Sequence, residues 1–520
     1  MSRTRKAIIF ASFGYGQFGL AIISGIILIP FVLSHLGART YGLWLASGEL
    51  LTYAAVLDFG VFSVLPWMIA EADGRKDSRA INSFVVQGLI VGLVVSLIYT
   101  IGMCLLWVLL PSALSLTAVD RLALGKPLVI LVTITALTYP LRVFSAALVG
   151  LQDVIFTGSM AVLQMCLSIS LTVILLLKGY GLYALAIAGA CPLMVTGVGC
   201  LLRVKSILPN LLSDYKRPTI KDIRSLLVQG LGGWMSSFGV QMLAASNGLV
   251  ITFLGHPEWV PVYGCTAKLS QLLLQICWVL PDSGLAGLAQ LHGEGRRERV
   301  GSIVGSMLRM HLILSGAAAC VLFALNPSFV RWWVGPNLFG GWSLNMMLAI
   351  GAIVSSLIHG LVVATAVLGN RIRLGIATLF NGAVHVVLAI VLGSRFGLYG
   401  IALAAILSGV LTTLPLGLRL LQPATGLSLQ WLLVGLCAPW LARIVPLLAL
   451  AAVVGFYFAP SPLWGIVIAG FGIGLVYLWW MRSLYRDLPL DPRLRHWLVI
   501  LKLTPPIAPT ATSIPILDRS

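Results

Sequence analysis

Fourteen apolar runs, each bounded by polar or turn-forming residues, follow one another along the chain. They cover 8–33, 42–69, 82–110, 127–148, 156–177, 181–202, 225–254, 262–290, 300–325, 342–369, 374–393, 400–421, 431–458 and 462–481. About 20 residues suffice for a helix to cross a bilayer. In hydrocarbon a crossing segment has to satisfy its backbone hydrogen bonds without water, which only helices and closed barrels do. The pattern predicts an all-α polytopic membrane protein with about fourteen transmembrane helices. These spans use more than half of the chain, which leaves no room for a large soluble domain on either side.

The short segments between runs sort the cations. If the N-terminus lies in the cytoplasm, the inner segments carry 24 of the 34 Lys and Arg residues, among them Arg3, Arg5, Lys6, Arg75, Lys76 and Arg79. The outer loops carry six: Arg39, Arg121, Lys126, Lys178, Arg331 and Arg395. A fourfold excess on one side fits the positive-inside rule with both termini cytoplasmic. Composition agrees: 59% of the 520 residues are hydrophobic and 10% are charged, against about a quarter charged in soluble domains. The net charge of +18 therefore reflects orientation and anionic lipid headgroups, not nucleic acid. All eight cysteines fall inside apolar runs without CxxC pairing, so neither a disulfide framework nor a zinc site is expected. The basic opening at Arg3 leads into a run with no small-residue cleavage site, read as a retained first span. The segment 482–520 reads as a cytoplasmic tail that opens with an interfacial basic stretch.

The chain also repeats itself. Leu36-Gly37 with Tyr41-Gly42 recurs as Leu254-Gly255 with Tyr263-Gly264, and Asp58-Phe59-Gly60 recurs as Asp282-Ser283-Gly284. Asp73-Gly74-Arg75-Lys76 recurs as Glu294-Gly295-Arg296-Arg297, Leu148-Val149-Gly150 as Val367-Leu368-Gly369, and Gly181-Leu182-Tyr183 as Gly397-Leu398-Tyr399. All keep the same order at offsets of 216 to 224. Six spans per unit is an even number, so both copies enter the membrane in the same direction. Parallel repeats enclose a cleft that opens to either side in turn, a plan for transport. The expected organisation is an N-terminal six-helix lobe (1–224), a second six-helix lobe (225–421), two additional helices (422–481) and the tail.

An ionisable group at the centre of a span costs at least about 2.5–3.5 kcal/mol and tends to serve a function. The deep groups are Glu49, Asp58, Arg142, Lys268, Asp282, Arg309 and Arg443, with His311, His359 and His385. Depth along the spans pairs Glu49 with Lys268 across the cleft, Asp58 with Arg142 in the first lobe, and Asp282 with Arg309 in the second. Arg142, Lys268 and Arg309 in one hydrated cavity would hold an anionic head such as a pyrophosphate, Arg with two donors and Lys as a point charge. Glu49, Asp58 and Asp282 are candidates to bind a coupling cation, and the histidines are read as helix-packing residues. Against these functional readings stands a structural one, in which each pair glues helices and each Asp-x-Gly caps a helix end.

No phosphate-binding loop, HExxH or GxSxG motif occurs, and the outer loops hold only two acids, Asp120 and Glu258. An enzyme is not expected, and neither a resident cofactor nor a metal is implied.

Pro30, Leu36-Gly37, Tyr41-Gly42-Leu43-Trp44, Leu57-Asp58-Phe59-Gly60 and Gly397-Leu398-Tyr399-Gly400 together resemble the bacterial polysaccharide transporter family. These are the Wzx-type O-antigen and exopolysaccharide flippases of the multidrug/oligosaccharidyl-lipid/polysaccharide (MOP) exporter superfamily, and the resemblance covers about residues 1–421. It implies two six-helix lobes around a central cationic cavity, as in MATE-like proteins. It implies movement of an undecaprenyl-pyrophosphate-linked oligosaccharide across the bacterial cytoplasmic membrane, with coupling to protons or sodium. A polysaccharide polymerase and chain-length machinery would be partners. Two spans beyond twelve are similar to the lipid II flippase branch, although the first span here has no arginine. A cation-coupled drug exporter and a membrane glycan polymerase or ligase remain alternatives.

Overall fold

The computed structural model describes residues 3–54, 59–113, 117–211, 214–216, 218–282, 288, 297–369, 371–457 and 462–485. Asp58, the loop 289–296 and the tail 486–520 lie outside them. All regular structure among the described residues is helical.

The first half comprises α1 (Arg3–Leu36), α2 (Ala38–Ala54), α3 (Val61–Gly74), α4 (Ser78–Ala113), α5 (Ala118–Thr138), α6 (Arg142–Gly150), α7 (Val154–Leu177) and α8 (Leu182–Ile207). The second comprises α9 (Ile220–Ala244), α10 (Asn247–Phe253), α11 (Trp259–Asp282), α12 (Arg297–Val334), α13 (Gly341–Leu368), α14 (Arg371–Ser408) and α15 (Leu414–Thr425). Then come α16 (Ala438–Tyr457), α17 (Leu463–Trp480) and the single turn α18 (Arg482–Tyr485). Ten helical stretches among the described residues are long and apolar enough to cross a membrane. One of them, Ile372–Thr425, has 54 residues, enough for two crossings, and bends at Gly397.

Corresponding pairs pack in both halves. α1 lies on α7 as α9 lies on α14, α3 on α4 as α11 on α12, and α5 on α8 as α13 on α15. The backbone repeats too. Gly181 (φ 55°, ψ −132°) and Gly397 (φ 64°, ψ −144°) share a conformation closed to other residues. Gly37 and Gly255 are likewise both left-handed, at φ 75° and 91°. The two additional helices α16 and α17 cover one face of α12, where Leu308, Leu312, Leu436, Trp440, Ile444 and Tyr477 form one buried cluster.

Polarity is arranged for lipid. Leu97, Val108, Ile468 and Phe471 point outward, while His311, Asn326, Asn345, Ser356 and His385 are fully buried. Loops that the charge pattern puts on one side meet there. Arg39 pairs with Asp120 at 3.0 Å and Glu258 at 3.7 Å. On the opposite face Arg79 pairs with Asp214 at 3.6 Å and Arg203 with Asp153 at 2.8 Å.

Three predicted spans are not continuous helices. The second breaks between α2 and α3, where Phe59 (φ 50°) and Gly60 (φ 76°) are left-handed. The fourth breaks at Tyr139-Pro140-Leu141, since proline has no N–H and cannot continue the helix. The seventh breaks at Ala245-Ser246. Hydropathy reports length and apolarity, and a broken span is as apolar as an intact one.

At the first break a Cβ on Gly60 would lie 2.5 Å from the Gly230 carbonyl oxygen, and one on Gly230 would lie 2.5 Å from that of Phe59. The two lobes therefore touch backbone to backbone. Gly60→Val should lower stability by about 2–4 kcal/mol, combining left-handed strain with overpacking. Gly102→Ala, at a site open within 4 Å, should be neutral or slightly stabilising. Thermal unfolding of the purified variants in detergent checks both.

Candidate functional site

The three deep cations occupy three different surroundings. Arg142 begins α6 directly after the Pro140 break, and its guanidinium lies over the rings of Phe62 (5.7 Å) and Tyr139 (5.5 Å). It lines a cavity of about 480 Å³ inside the first lobe, bordered by α3, α5, α6, α7 and α8. Thr135, Ser145, Gln164 and Thr196 supply polar groups to its wall. At the break Pro140 cannot bond the Ala136 carbonyl, which instead accepts the Tyr139 N–H at 3.3 Å and, from α4, the Ser96 hydroxyl at 2.7 Å.

Lys268 sits on α11 with its Nζ 3.0 Å from where a Cβ on Gly25 of α1 would be. A glycine there makes room for the lysine between the lobes. Arg309 borders a small hollow with Leu436, Trp440 and Ser483, on the face of α12 covered by α16 and α18. The expected shared chamber for all three is thus not what the helices build. Arg443 donates to the Pro439 carbonyl of its own helix at 2.7 Å.

The expected charge pairs are also redistributed. Glu49 accepts the amides of Gly248 (3.0 Å) and Leu249 (2.8 Å), the first turn of α10, in place of the expected Lys268. The first amides of a helix have no intrahelical acceptor, and a carboxylate there also meets the positive end of the helix dipole. Gly248 lacks a Cβ where one would lie 2.6 Å from Glu49 Oε1. Beside this cap His385 Nε2 bonds Asn247 Oδ1 at 3.2 Å.

Asp282 meets His359, not Arg309. His359 Nε2 lies 2.9 Å from Asp282 Oδ2, and His311 Nε2 lies 4.0 Å from Oδ1. Arg309 and His311 are two residues apart on α12, about 200° around the helix, so only one of them can face α11. The other faces α16. His359 stacks on Trp278 with ring centroids 4.1 Å apart. His311 fits because Gly360 is bare, a Cβ there falling 2.5 Å from its ring. Reading the histidines as packing residues missed this cluster. The available signal was three ionisable groups in three consecutive spans, at similar depth near one membrane face. Asp58 lies outside the described residues, so its expected pairing with Arg142 has no counterpart here.

The lobes are joined where helices leave backbone groups free. Pro30 leaves the Ile26 carbonyl of α1 without its helical donor, and the Trp333 indole N–H of α12 donates to it. Gly42 lies against the Pro257 carbonyl, and Glu49 caps α10 nearby. All eight cysteines are free thiols, and no group of metal-ligating side chains occurs among the described residues.

This helical arrangement is that of MATE and MurJ proteins. The lipid II flippase MurJ, in an inward closed conformation, matches with a TM-score of 0.67 at 15% identity, over 92% of this chain and 99% of that one. An inward-facing multidrug resistance MATE family transporter of the MOP superfamily matches at 0.65 and 17%, over 80% and 98%. An outward-facing multidrug resistance MATE family transporter of that superfamily matches at 0.57 and 16%, over 79% and 94%. No family model matches the sequence, and no curated protein does.

Glu49→Ala should leave two amides of α10 without acceptors, at about 1–3 kcal/mol each. Hydrogen exchange at Gly248 and Leu249 should accelerate at least about tenfold, while amides of α17 keep their rates; unchanged exchange at both would show the cap to be energetically idle.

Proposed function

We propose that this chain is a membrane transporter that moves a polyprenyl-pyrophosphate-linked oligosaccharide across the bacterial cytoplasmic membrane by alternating access, for export of an O antigen, exopolysaccharide or capsule. The observation that carries the reading is Arg142. A guanidinium, fixed by two aromatic rings at a helix break, faces a 480 Å³ cavity with hydroxyl and amide groups in its wall. Two parallel donors on Arg match phosphate oxygens, and the hydroxyls suit sugar. The polyprenyl tail stays in lipid along α16 and α17. The MATE- and MurJ-like fold supports a transporter, and the match to the lipid II flippase extends over more of this chain than the matches to MATE transporters.

In this reading both termini are cytoplasmic, and a polysaccharide polymerase with its chain-length machinery receives the product. Lys268, between the lobes, guides the head through the cleft. Arg309 faces the additional helices and bears on the lipid end. A coupling cation, proton or sodium, drives the cycle, with Glu49, Asp58 and Asp282 the carboxylates available for it. Drug export is the second reading, because the MATE folds match almost as well.

In a strain that depends on this chain for its surface glycan, Arg142→Gln should reduce glycan at least about tenfold at equal protein level. Lys268→Gln and Arg309→Gln should reduce it less. Normal glycan in all three variants, or drug resistance conferred by the native chain, would remove the cargo assignment.

A further inference from the structure

Three helices of the second lobe bring one carboxylate and two imidazoles together where the sequence suggested an arginine. Asp282 ends α11, His311 lies in α12 and His359 in α13. The His359–Asp282 Oδ2 hydrogen bond closes one edge of the group. At the other edge Asp282 Oδ1 and His311 Nε2 are both buried, 4.0 Å apart, and neither has a hydrogen-bond partner among the described residues.

One assignment of the hydrogens satisfies both contacts of Ser356. The Ser356 hydroxyl donates to the His311 carbonyl oxygen, 3.5 Å away, so its oxygen is left to accept from His311 Nδ1 at 3.2 Å. With the ring hydrogen on Nδ1, Nε2 presents a lone pair. Two acceptors then face each other, an arrangement that one added proton converts into a donor–acceptor pair.

We propose that Asp282, His311 and His359 form a proton-binding site, whose occupancy sets how closely α11 is held to α12. A proton taken up on His311 Nε2 makes an imidazolium that keeps its Nδ1–H bond to Ser356 and gains a charge-assisted bond to Asp282 Oδ1. Proton loss opens that edge again. Access is built in, because the Asp282 and His359 side chains keep 30% and 24% exposure while His311 keeps none. At their far ends the same helices are tied independently of pH, Asn326 of α12 donating to Asn345 Oδ1 of α13 (2.8 Å) and to the Thr266 carbonyl of α11 (2.9 Å). The protonation change therefore acts on one end of a three-helix unit that is fixed at the other.

Other titratable or charged groups on the elements packed around the site are Tyr263, Cys265, Lys268 and Cys277 on α11, Arg299, Arg309, Cys320 and Arg331 on α12, Arg373 and His385 among those on α14, Arg419 on α15, Arg443 on α16 and Tyr477 on α17; His385 bonds Asn247. Lys268 lies against Gly25, Arg309 faces Leu436 and Trp440, and Arg443 bonds its own Pro439. Tyr477 accepts the Trp440 indole N–H, and Arg419 is exposed. Among the described residues only the two histidines come within ion-pairing distance of Asp282.

The site goes beyond the cargo reading and is tested without it. The full-length chain, labelled with ¹⁵N-histidine and reconstituted in lipid bilayers, is followed by solid-state NMR from about pH 8 to about pH 3, a window that reaches below the ordinary histidine range because burial disfavours the imidazolium. His311→Gln identifies the resonance. The expected result is a neutral His311 protonated on Nδ1 at high pH and an imidazolium at low pH. Asp282→Asn should move that midpoint down by about one unit or more, since the cation loses its carboxylate. Ser356→Ala, a milder change, should shift the neutral-state hydrogen from Nδ1 to Nε2. A native His311 that stays neutral throughout, a midpoint indifferent to Asp282→Asn, or a tautomer indifferent to Ser356→Ala would each overturn the proposal. A titrating His311 in a chain that exports no glycan would leave this site standing and remove the cargo reading instead.

Discussion

A helix in hydrocarbon satisfies its own backbone, so wherever a break or an internal proline interrupts it, the freed groups need other partners. That requirement organises the contacts of this protein. Pro30 frees the Ile26 carbonyl and Trp333 of the other lobe takes it. Pro140 cannot bond the Ala136 carbonyl, which Ser96 of α4 shares with the Tyr139 amide. The gap before α10 frees two amides and Glu49, again from the other lobe, caps them. A lost partner costs far more in lipid than at a wet surface, so each break specifies its neighbour.

Two of these three ties cross between the lobes, which bears on movement. Lobes held by broad apolar surfaces would gain little from separating in a lipid environment and little from staying together, because lipid tails are as apolar as leucine. Discrete polar ties behave differently: each is made or broken as a unit. The Glu49 cap of α10 and the close Gly60–Gly230 approach are separate points of the same interface. In the transport cycle proposed above these ties are made and broken in turn.

The in-membrane charges divide by the same logic. Arg443 donates to a carbonyl of its own helix, and Glu49 accepts from the first amides of another. Arg142 lies over two aromatic faces and lines a cavity. Asp282 has one partner made and a second edge open.

The amino-acid sequence by itself determined the all-helical membrane class, the positions of the apolar runs, the grouping of Arg39, Asp120 and Glu258 on one face, and the duplication. The left-handed glycines at 37 and 255 and the matched pair at 181 and 397 bear out that duplication in the backbone. Each of these properties is written in composition or order along the chain, which solvation by lipid reads directly. Only the tertiary structure decided which partner each buried charge met. A shift of one residue on a helix turns a side chain by about 100°, so depth alone put Arg309 beside Asp282, whereas rotation put His311 there. The breaks at 59–60, 139–141 and 245–246 were hidden for the same reason. Hydropathy sums over a window and is blind to dihedral angles, while the cost of a break depends on whether a donor or acceptor from a distant part of the chain arrives to satisfy it.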